Sequence, residues 1–344
     1  MAEGADALLV THLPNVRWLT GFTGSAGMVL LTGDHTLLLT DFRYATQAPQ
    51  EAADAAEIVV ERASVWDRLK LELARRAPGR LAFEGHVTTV RDADRLADAL
   101  PGRLHRVTDL VERYRQVKDA EEVAALRAAA ELAQEALAEV LPTVRVGERE
   151  LDVAARLESA LRRRGSEWHP FPTIVASGPR SALPHAHTST RPIGRGEFLL
   201  LDFGAIVDGY CADITRTVVV GGPPDERQQR VYGLVAAAQA NARAAVRPGM
   251  TGREADALAR DLIAEAGYGE AFGHSLGHGI GLEVHEAPRL ASTSDVILPV
   301  GTVVTIEPGI YLPGWGGVRL EDDLWLSPEG PVLVSDGRTD LIEI

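Results

Sequence analysis

Two aspartates, Asp202 and Asp213, interrupt the apolar sequence LLLDFGAIVDGYCADITRT that covers residues 199–217. Apolar residues flank the pair on both sides, which is typical of buried β-structure. An ionised carboxylate is costly in such a setting unless it is paired or coordinates a metal ion. The chain is therefore limited to folds that place a countercharge or a metal against these strands, or that turn one strand face toward water.

The spacing of the two aspartates is set by the turn between them. Asp208-Gly209 is a strong signal for a two-residue β-hairpin turn. With that turn, Asp202 faces Thr215, and Asp213 lies two residues from Thr215 on the same face. The carboxylates are then diagonal neighbours with backbones roughly 7–8 Å apart, and they repel unless a cation lies between them.

The C-terminal part of the chain supplies a second pair of strand-borne carboxylates. Glu307 interrupts the apolar run GTVVTIEPGIYL. The segment GGVRLEDDLWL alternates, which places Arg319, Glu321, Asp323 and Trp325 on one face. The four carboxylates cannot lie close together unless their negative charge is neutralised. Two divalent metal ions roughly 3.5–4 Å apart are the arrangement that would bind them.

Histidines beside glycines add candidate nitrogen ligands. The segment GHSLGHGIGLEVHE contains His274, His278 and His285, and its glycines let the backbone approach closely. The Gly-His-Gly-Ile-Gly context makes His278 the strongest candidate. No glutamate follows His274, so the zinc-protease helix motif is absent. SGPRSALPHAHTS adds His185 and His187, and the roles of His187 and His274 stay open.

Residues 1–115 and 116–344 are predicted to form separate domains. The first segment combines short apolar strands, such as AGMVLLT and HTLLLTD, with amphipathic helices, such as SVWDRLKLELARRA. A long helix is predicted to begin after Asp119, because this residue is a suitable N-cap and two glutamates follow it. The boundary is placed just before that helix.

The second domain contains an internal repeat. VRVGERELDVAARLESALRRRG begins at Val144 and VRPGMTGREADALARDLIAEAG begins at Val246. Charged positions recur in the same register, and each copy is followed by a histidine-containing loop and by strands. The repeat predicts an α+β domain with pseudo-twofold halves, which is able to build a site between them.

Composition excludes several classes of partner. The formal net charge is −14 and no large basic block is present, which disfavours nucleic acid. No apolar run approaches the roughly 20 residues that span a membrane, and the N-terminal sequence lacks the features of a signal peptide. A single cysteine, Cys211, fits a reducing cytoplasm, and its use as a nucleophile is disfavoured because no base partner is identifiable.

Together these motifs resemble the creatinase-like, or pita-bread, metallopeptidases. NVRWLTGFTGSAG and LLLTDFRYATQA are similar to the N-terminal domain of the proline-specific members. The segments that match the catalytic motifs, in order, are ASGPRSALPHAHTS, LLLDFGAIVDGYCADITRT, GHGIGLEVHE, TIEPGIY and GGVRLED. The resemblance implies an α+β pita-bread catalytic domain and a smaller creatinase-type α/β domain that often takes part in dimer formation.

The resemblance also implies a set of metal ligands. They are Asp202, Asp213, His278, Glu307 and Glu321. Of these, Asp213 and Glu321 would bridge both ions, Asp202 would serve one ion, and His278 with Glu307 would serve the other. Such carboxylate-rich ligation suits Mn²⁺, with Co²⁺ or Zn²⁺ as alternatives.

Four residues acquire catalytic roles by the same resemblance. His185 and His285 match histidines that contact the substrate and the reacting centre. Glu307 matches the group that accepts and later returns a proton. Arg319 matches an arginine that lies close to the site.

The expected activity is metal-dependent hydrolysis of Xaa-Pro dipeptides by a cytoplasmic homodimer. Two alternatives stay open: an Xaa-Pro aminopeptidase acting on longer peptides, and a non-catalytic binding protein on the same fold. The five ligands disfavour a creatine-type amidinohydrolase, and the extra N-terminal domain disfavours a methionine aminopeptidase. Arg289 and Arg319 are the candidate cations for the carboxylate of the substrate proline.

Overall fold

The computed structural model describes residues 4–344. The chain divides into two compact units, Met1–Arg115 and Gln116–Ile344. In both units, helices cover sheets whose strands are short and largely buried, so the architecture mixes α and β structure as the sequence predicts.

Residues 4–115 of the first unit form six strands and five α-helices. The strands are β1 (Ala7–Val10), β2 (Gly27–Thr32), β3 (Thr36–Asp41), β4 (Glu57–Glu61), β5 (Leu81–Glu84) and β6 (Leu104–Val107). The helices are α1 (Leu13–Thr20), α2 (Gln47–Ala52), α3 (Val65–Arg76), α4 (Val90–Ala99) and α5 (Glu112–Arg115), with a 3₁₀ turn at Phe42–Tyr44.

These strands form one sheet in the order β4-β3-β2-β1-β5-β6. Strands β1, β5 and β6 run parallel to one another, whereas β2 is antiparallel to both β1 and β3. Alternate strand residues fill two cores: Val10 and Leu38 pack with α1 and α2, and Leu9 and Leu39 pack with α3 and α4. The sheet is thus covered on both faces, which explains why its strands read as continuous apolar runs.

The second unit begins with the predicted long helix. Its helices are α6 (Ala120–Val140), α7 (Glu150–Arg164), α8 (Glu226–Ala245) and α9 (Gly252–Glu265), with 3₁₀ turns at Leu141–Thr143, Gly178–Ala182 and Gly269–Ala271. Its strands are β7 (Ile174–Ser177), β8 (Glu197–Phe203), β9 (Ile206–Val207), β10 (Tyr210–Cys211), β11 (Ile214–Val220), β12 (Gly277–Gly279), β13 (Glu286–Leu290), β14 (Val303–Ile306), β15 (Gly309–Leu312), β16 (Gly316–Arg319), β17 (Asp322–Ser327) and β18 (Gly330–Leu333).

The two repeated segments occupy equivalent positions in two halves of this unit. In the first half, α6 and α7 pack on the sheet β11-β8-β7, and in the second half, α8 and α9 pack on the sheet β13-β12-β14-β17-β18. The predicted N-cap Asp119 forms a capping box with Glu122, and the predicted pair Thr251 and Glu254 forms another. Such reciprocal caps satisfy otherwise unpaired N–H groups at the helix start.

The predicted hairpin register is confirmed. Asp208 and Gly209 both have positive φ, 48° and 77°, as a two-residue primed turn requires. Asp202 lies opposite Thr215 in the β8–β11 ladder. Asp213 lies between β10 and β11, outside the regular pairing of these two strands with their neighbours.

The C-terminal carboxylates also lie at breaks between strands, which the sequence did not predict. Glu307 lies between β14 and β15, and Glu321 lies between β16 and β17. A residue at such a break escapes the strict alternation of a strand, so its side chain is free to reach the shared site.

None of the helices formed by residues 4–344 combines the length and apolarity needed to cross a bilayer.

Candidate metal centre

A cavity of about 1150 Å³ in the second unit collects the predicted site residues. Carboxylates and imidazoles from both halves line it, together with one buried arginine. The predicted residues among them are His185, Asp202, Asp213, His278, His285, Glu307, Arg319 and Glu321. Residues that are far apart in the sequence therefore share one solvent-accessible chamber.

The innermost atoms are close enough for shared coordination. One ligand atom from each of Asp213, His278 and Glu321 lies within 4.8 Å of the other two. His278 Nε2 is 3.4 Å from Glu307 Oε1 and 3.8 Å from Asp213 Oδ2. These separations leave space for a cation between the groups without moving the backbone.

The ring of His278 is held in the orientation that a metal ligand needs. Its Nδ1 lies 3.0 Å from the carbonyl oxygen of Gly279, so this nitrogen carries the proton and donates it. Nε2 therefore presents its lone pair to the carboxylates. Burial is the main cause that lowers the pKa of His278 to about 4, which keeps the imidazole neutral at physiological pH.

The carboxylates repel one another strongly. Burial, followed by the charge of neighbouring carboxylates, raises the pKa of Asp213 and of Glu321 well above the ordinary value. Burial likewise raises the pKa of Glu307 to about 8. Such a cluster needs protons or a cation to be stable in the fold.

Two buried oxygens point to the cation. Asp202 Oδ1 and Asp213 Oδ1 have no hydrogen-bond partner among residues 4–344. Each would be satisfied by direct coordination, whereas a buried acceptor without a partner costs about 1–3 kcal/mol. The donor set of four carboxylates and one neutral imidazole therefore fits divalent metal ions.

Arg319 is committed to the protein rather than open to a ligand. Its guanidinium donates to Asp202 Oδ2 at 2.5 Å, to Tyr311 Oη at 2.8 Å, to Thr215 Oγ1 at 3.1 Å and to the Pro184 carbonyl at 3.2 Å. The side chain is 4% exposed. The arginine thus fixes the orientation of Asp202 and offsets part of the negative charge.

Sequence reasoning missed Tyr311, and it left the role of His274 open. His274 Nδ1 lies 2.8 Å from the Ser275 carbonyl and donates to it, so Nε2 accepts from Tyr311 Oη at 2.8 Å. The tyrosine hydroxyl in turn accepts from Arg319. A chain of hydrogen bonds therefore joins His274 to Asp202 through Tyr311 and Arg319. This chain fixes the tautomer of His274 and the orientation of the Asp202 carboxylate.

Outer residues hold the carboxylates from behind. Thr215 donates to Glu321 Oε2 at 2.6 Å, and Thr305 donates to Glu307 Oε1 at 3.3 Å. Asp323 accepts from the backbone N–H of Asp213 at 3.2 Å. The sequence predicted that Asp323 would share a strand face with Glu321 and that Thr215 would lie opposite Asp202, but it gave no sign that Asp323, Thr215 or Thr305 hold the carboxylates.

The remaining histidines lie toward the mouth of the cavity. His185, His187 and His285 are exposed and line its wall. The rings of His278 and His285 have centroids 4.4 Å apart. His185 and His187 both reach the cavity, so their positions alone do not separate the residue predicted to act from its neighbour.

Cys211 is buried and is not among the cavity-lining residues. Its Sγ lies 3.9 Å from the Leu282 carbonyl oxygen. Burial is the largest cause that raises the pKa of the thiol to about 12, so almost no thiolate exists near neutral pH. This environment is typical of a packing cysteine, because the thiolate is the reactive form.

Two family models match the chain. The model described as metallopeptidase family M24 matches residues 124–328. The model described as the creatinase/prolidase N-terminal domain matches residues 1–117.

Known proteins with similar sequence and structure cover nearly the full length. A solved Xaa-Pro dipeptidase from Bacillus anthracis is 42% identical with a TM-score of 0.96, and the match covers 99% of this chain and 96% of that one. An X-Pro aminopeptidase from Thermotoga maritima MSB8 is 38% identical with a TM-score of 0.93, covering 99% and 98%. An Xaa-Pro dipeptidase from Pyrococcus horikoshii is 37% identical over 339 residues, covering 98% of this chain and 94% of the relative.

Proposed function

The chain belongs to metallopeptidase family M24, as its motifs predict, and on that premise we propose that it is a dinuclear metal-dependent Xaa-Pro dipeptidase. The predicted α+β fold class, with a creatinase-type N-terminal domain, is confirmed. The observation that carries the proposal is the gathering of buried carboxylates and His278 Nε2 in one cavity.

The five predicted ligands are proposed to hold two divalent ions. They are Asp202, Asp213, His278, Glu307 and Glu321. When bound, such ions lower the pKa of a coordinated water and polarise the scissile carbonyl. Because four of the five ligands are carboxylates, we propose Mn²⁺ as the native metal, with Co²⁺ and Zn²⁺ as competitors.

Protein groups around this centre orient the substrate and move protons. Glu307 lines the cavity beside His278, with 3.4 Å between Glu307 Oε1 and His278 Nε2, and its carboxylate is proposed to accept and return the proton. His185 and His285 line the outer wall, where an N–H group is able to donate to the carbonyl oxygen as charge develops on it.

The wall of the cavity offers an apolar surface for a proline ring. Phe171, Pro172, Ile174 and Pro184 line it along one stretch of chain, and Ala287 lines it from another. The nitrogen of an Xaa-Pro bond carries no hydrogen, so a proline-specific site must recognise ring shape instead of an N–H donor. This lining supports specificity for proline in the second position.

Arg289 is proposed to bind the proline carboxylate of a dipeptide. It lines the cavity, its side chain is exposed, and no ion pair or side-chain hydrogen bond involves it within residues 4–344. Arg319, the other candidate, already donates to four protein acceptors. The structure therefore favours Arg289 as the available cation and, with it, a dipeptide substrate.

The substrate class is tested by comparing kcat/KM for Ala-Pro, Ala-Pro-amide and Ala-Pro-Ala. We expect Ala-Pro to be preferred over both other substrates. Loss of one charge-assisted contact of about 1.5–3 kcal/mol should lower kcat/KM for the amide roughly 10- to 150-fold. The substitution Arg289→Gln should remove that discrimination. The matched control is Arg338→Gln, an exposed arginine that is not among the cavity-lining residues. Faster cleavage of Ala-Pro-Ala would reassign the protein as an Xaa-Pro aminopeptidase.

Three further assignments belong to the same proposal. Residues 1–115 and 116–344 are proposed as the functional domains, the second carrying the chemistry. A homodimer is proposed from the N-terminal domain type, and light scattering after gel filtration tests it. A cytoplasmic location is proposed because the one cysteine, Cys211, is a buried free thiol that suits a reducing compartment.

A further inference from the structure

The first unit contains a separate cluster of metal-ligating side chains. One ligand atom from each of His12, His86 and Glu112 lies within 4.8 Å of the other two. His86 Nε2 lies 3.0 Å from Glu112 Oε1, and His12 Nδ1 lies 3.6 Å from the same oxygen. We propose that these three residues form a Zn²⁺-binding site that is independent of the carboxylate centre.

The topology of the sheet brings these residues together. His12 follows β1, His86 follows β5, and Glu112 follows β6 at the start of α5. Strands β1, β5 and β6 are neighbours in the sheet and run parallel, so their carboxyl ends lie at the same edge of the sheet. Ligands of open α/β sheets bind at this edge, because the loops that leave it converge there.

The distances suit tetrahedral coordination. Around Zn²⁺ with bonds of about 2.0–2.1 Å, neighbouring ligand atoms of a tetrahedron lie roughly 3.3–3.4 Å apart. The two separations from Glu112 Oε1, 3.0 Å to His86 and 3.6 Å to His12, lie on either side of that value. The third separation, between the ligand nitrogens of His12 and His86, is within 4.8 Å, so movement of the two side chains toward an ion would complete the geometry.

Buried residues behind the cluster hold Glu112 in place. Asn15 is completely buried, and its Nδ2 donates to Glu112 Oε1 and to Glu84 Oε1, each at 2.6 Å. Arg115 donates to Asn15 Oδ1 at 2.7 Å, which fixes the amide orientation. Outer hydrogen bonds of this kind orient ligands in metal sites.

The second oxygen of Glu112 is available to a cation. Glu112 Oε2 is buried and has no hydrogen-bond partner among residues 4–344. Coordination to an ion would satisfy this oxygen, whereas a buried acceptor without a partner costs about 1–3 kcal/mol.

The donor set selects zinc rather than manganese. Two imidazoles with one carboxylate suit Zn²⁺, whereas the carboxylate-rich centre of the second unit suits Mn²⁺. The side chains of His12, His86 and Glu112 are 21%, 25% and 18% exposed, so an ion and a fourth, water ligand have access. A bound ion would tie together the loops after three strands and stabilise the first unit.

The competing explanation is a hydrogen-bonded histidine–glutamate pair without metal. Zinc counting separates the two. The full-length protein carrying Asp213→Asn and Glu321→Gln, which weakens the carboxylate centre, is dialysed against micromolar Zn²⁺, and bound zinc is counted by mass spectrometry. Adding His86→Ala should remove one zinc ion per chain, and Glu112→Gln should do the same with little change in side-chain volume.

The matched control is His35→Ala, which removes an exposed histidine that also lies beside a carboxylate, Asp34. This control should retain all bound zinc. Zn²⁺ should also raise the thermal unfolding midpoint of the parent and of His35→Ala, but not that of His86→Ala or Glu112→Gln. Equal zinc content in folded parent, His86→Ala and Glu112→Gln proteins would overturn the proposal, and circular dichroism establishes that each is folded. Neither outcome affects the proposed peptidase function, because that function depends on the carboxylate centre of the second unit.

Discussion

Replacing Tyr311 with phenylalanine tests whether the hydrogen-bond chain behind the carboxylates positions the site. The substitution removes one hydroxyl and keeps the ring. That hydroxyl accepts from Arg319 and donates to His274 Nε2, each at 2.8 Å. Burial is the main cause that raises the pKa of Tyr311 to about 12, so the hydroxyl keeps the proton that it donates.

The expected magnitude follows from the partners that are left behind. A hydrogen bond to a charged group contributes about 1.5–3 kcal/mol. Arg319 keeps its contacts with Asp202 and Thr215, so only one of its donors weakens. If the loss falls on the transition state, kcat/KM for Ala-Pro drops roughly 10- to 150-fold, at 1.36 kcal/mol for each tenfold step.

The assay separates positioning from general destabilisation. Steady-state kinetics should show the loss mainly in kcat, while the metal content of the variant stays at the wild-type level. The control is Tyr210→Phe, which removes a hydroxyl that donates to Glu122 Oε1 at 2.8 Å and is not among the cavity-lining groups. It should lower the unfolding midpoint without changing kcat. A Tyr311→Phe enzyme with normal kcat and full metal content would refute the positioning role.

Three further predictions concern the metal centre and the lone cysteine. Protein stripped with a chelator should lose hydrolysis and regain it with Mn²⁺, Co²⁺ or Zn²⁺; full activity in protein shown by elemental analysis to lack metal contradicts the metallopeptidase assignment. Asp213→Asn should abolish measurable kcat and reduce bound metal, whereas His187→Ala should retain metal and lose less activity; equal losses in both variants would reverse the assignment of His185 over its neighbour. Iodoacetamide at pH 8 should leave native activity unchanged and should modify Cys211 only after unfolding. Burial raises the pKa of this thiol to about 12 in the fold, whereas the pKa of the unfolded thiol is about 8.5. Rapid inactivation of the native enzyme would contradict this prediction.

The features that sequence predicted best are those set by local rules. The turn at Asp208-Gly209 fixes a register by its own backbone preferences, and that register places Asp202 opposite Thr215. The capping box at Thr251 likewise depends on residues three positions apart. Each of these signals is contained within a few neighbouring residues, so no tertiary information is needed to read it.

Features that depend on distant contacts were not predictable in the same way. Tyr311 sits in an apolar strand segment whose sequence gives no sign that its hydroxyl joins His274 to Arg319. The cluster of His12, His86 and Glu112 arises because three parallel strands end at one edge, although the chain visits those strands far apart in sequence. Neither arrangement leaves a periodic pattern.

The two arginines of the cavity illustrate why a residue type on the correct face does not establish a role. Alternation placed Arg319 beside Glu321, which made it as suitable as Arg289 for binding a substrate carboxylate. In the fold, Arg319 donates to four protein acceptors, and releasing any of them would leave a buried polar group unsatisfied at a cost of about 1–3 kcal/mol. Arg289 is exposed and carries no such cost, so in the proposed function a substrate carboxylate would gain its full contact with this side chain. We therefore propose that Arg289, which the protein leaves uncommitted, decides between a dipeptide and a longer peptide.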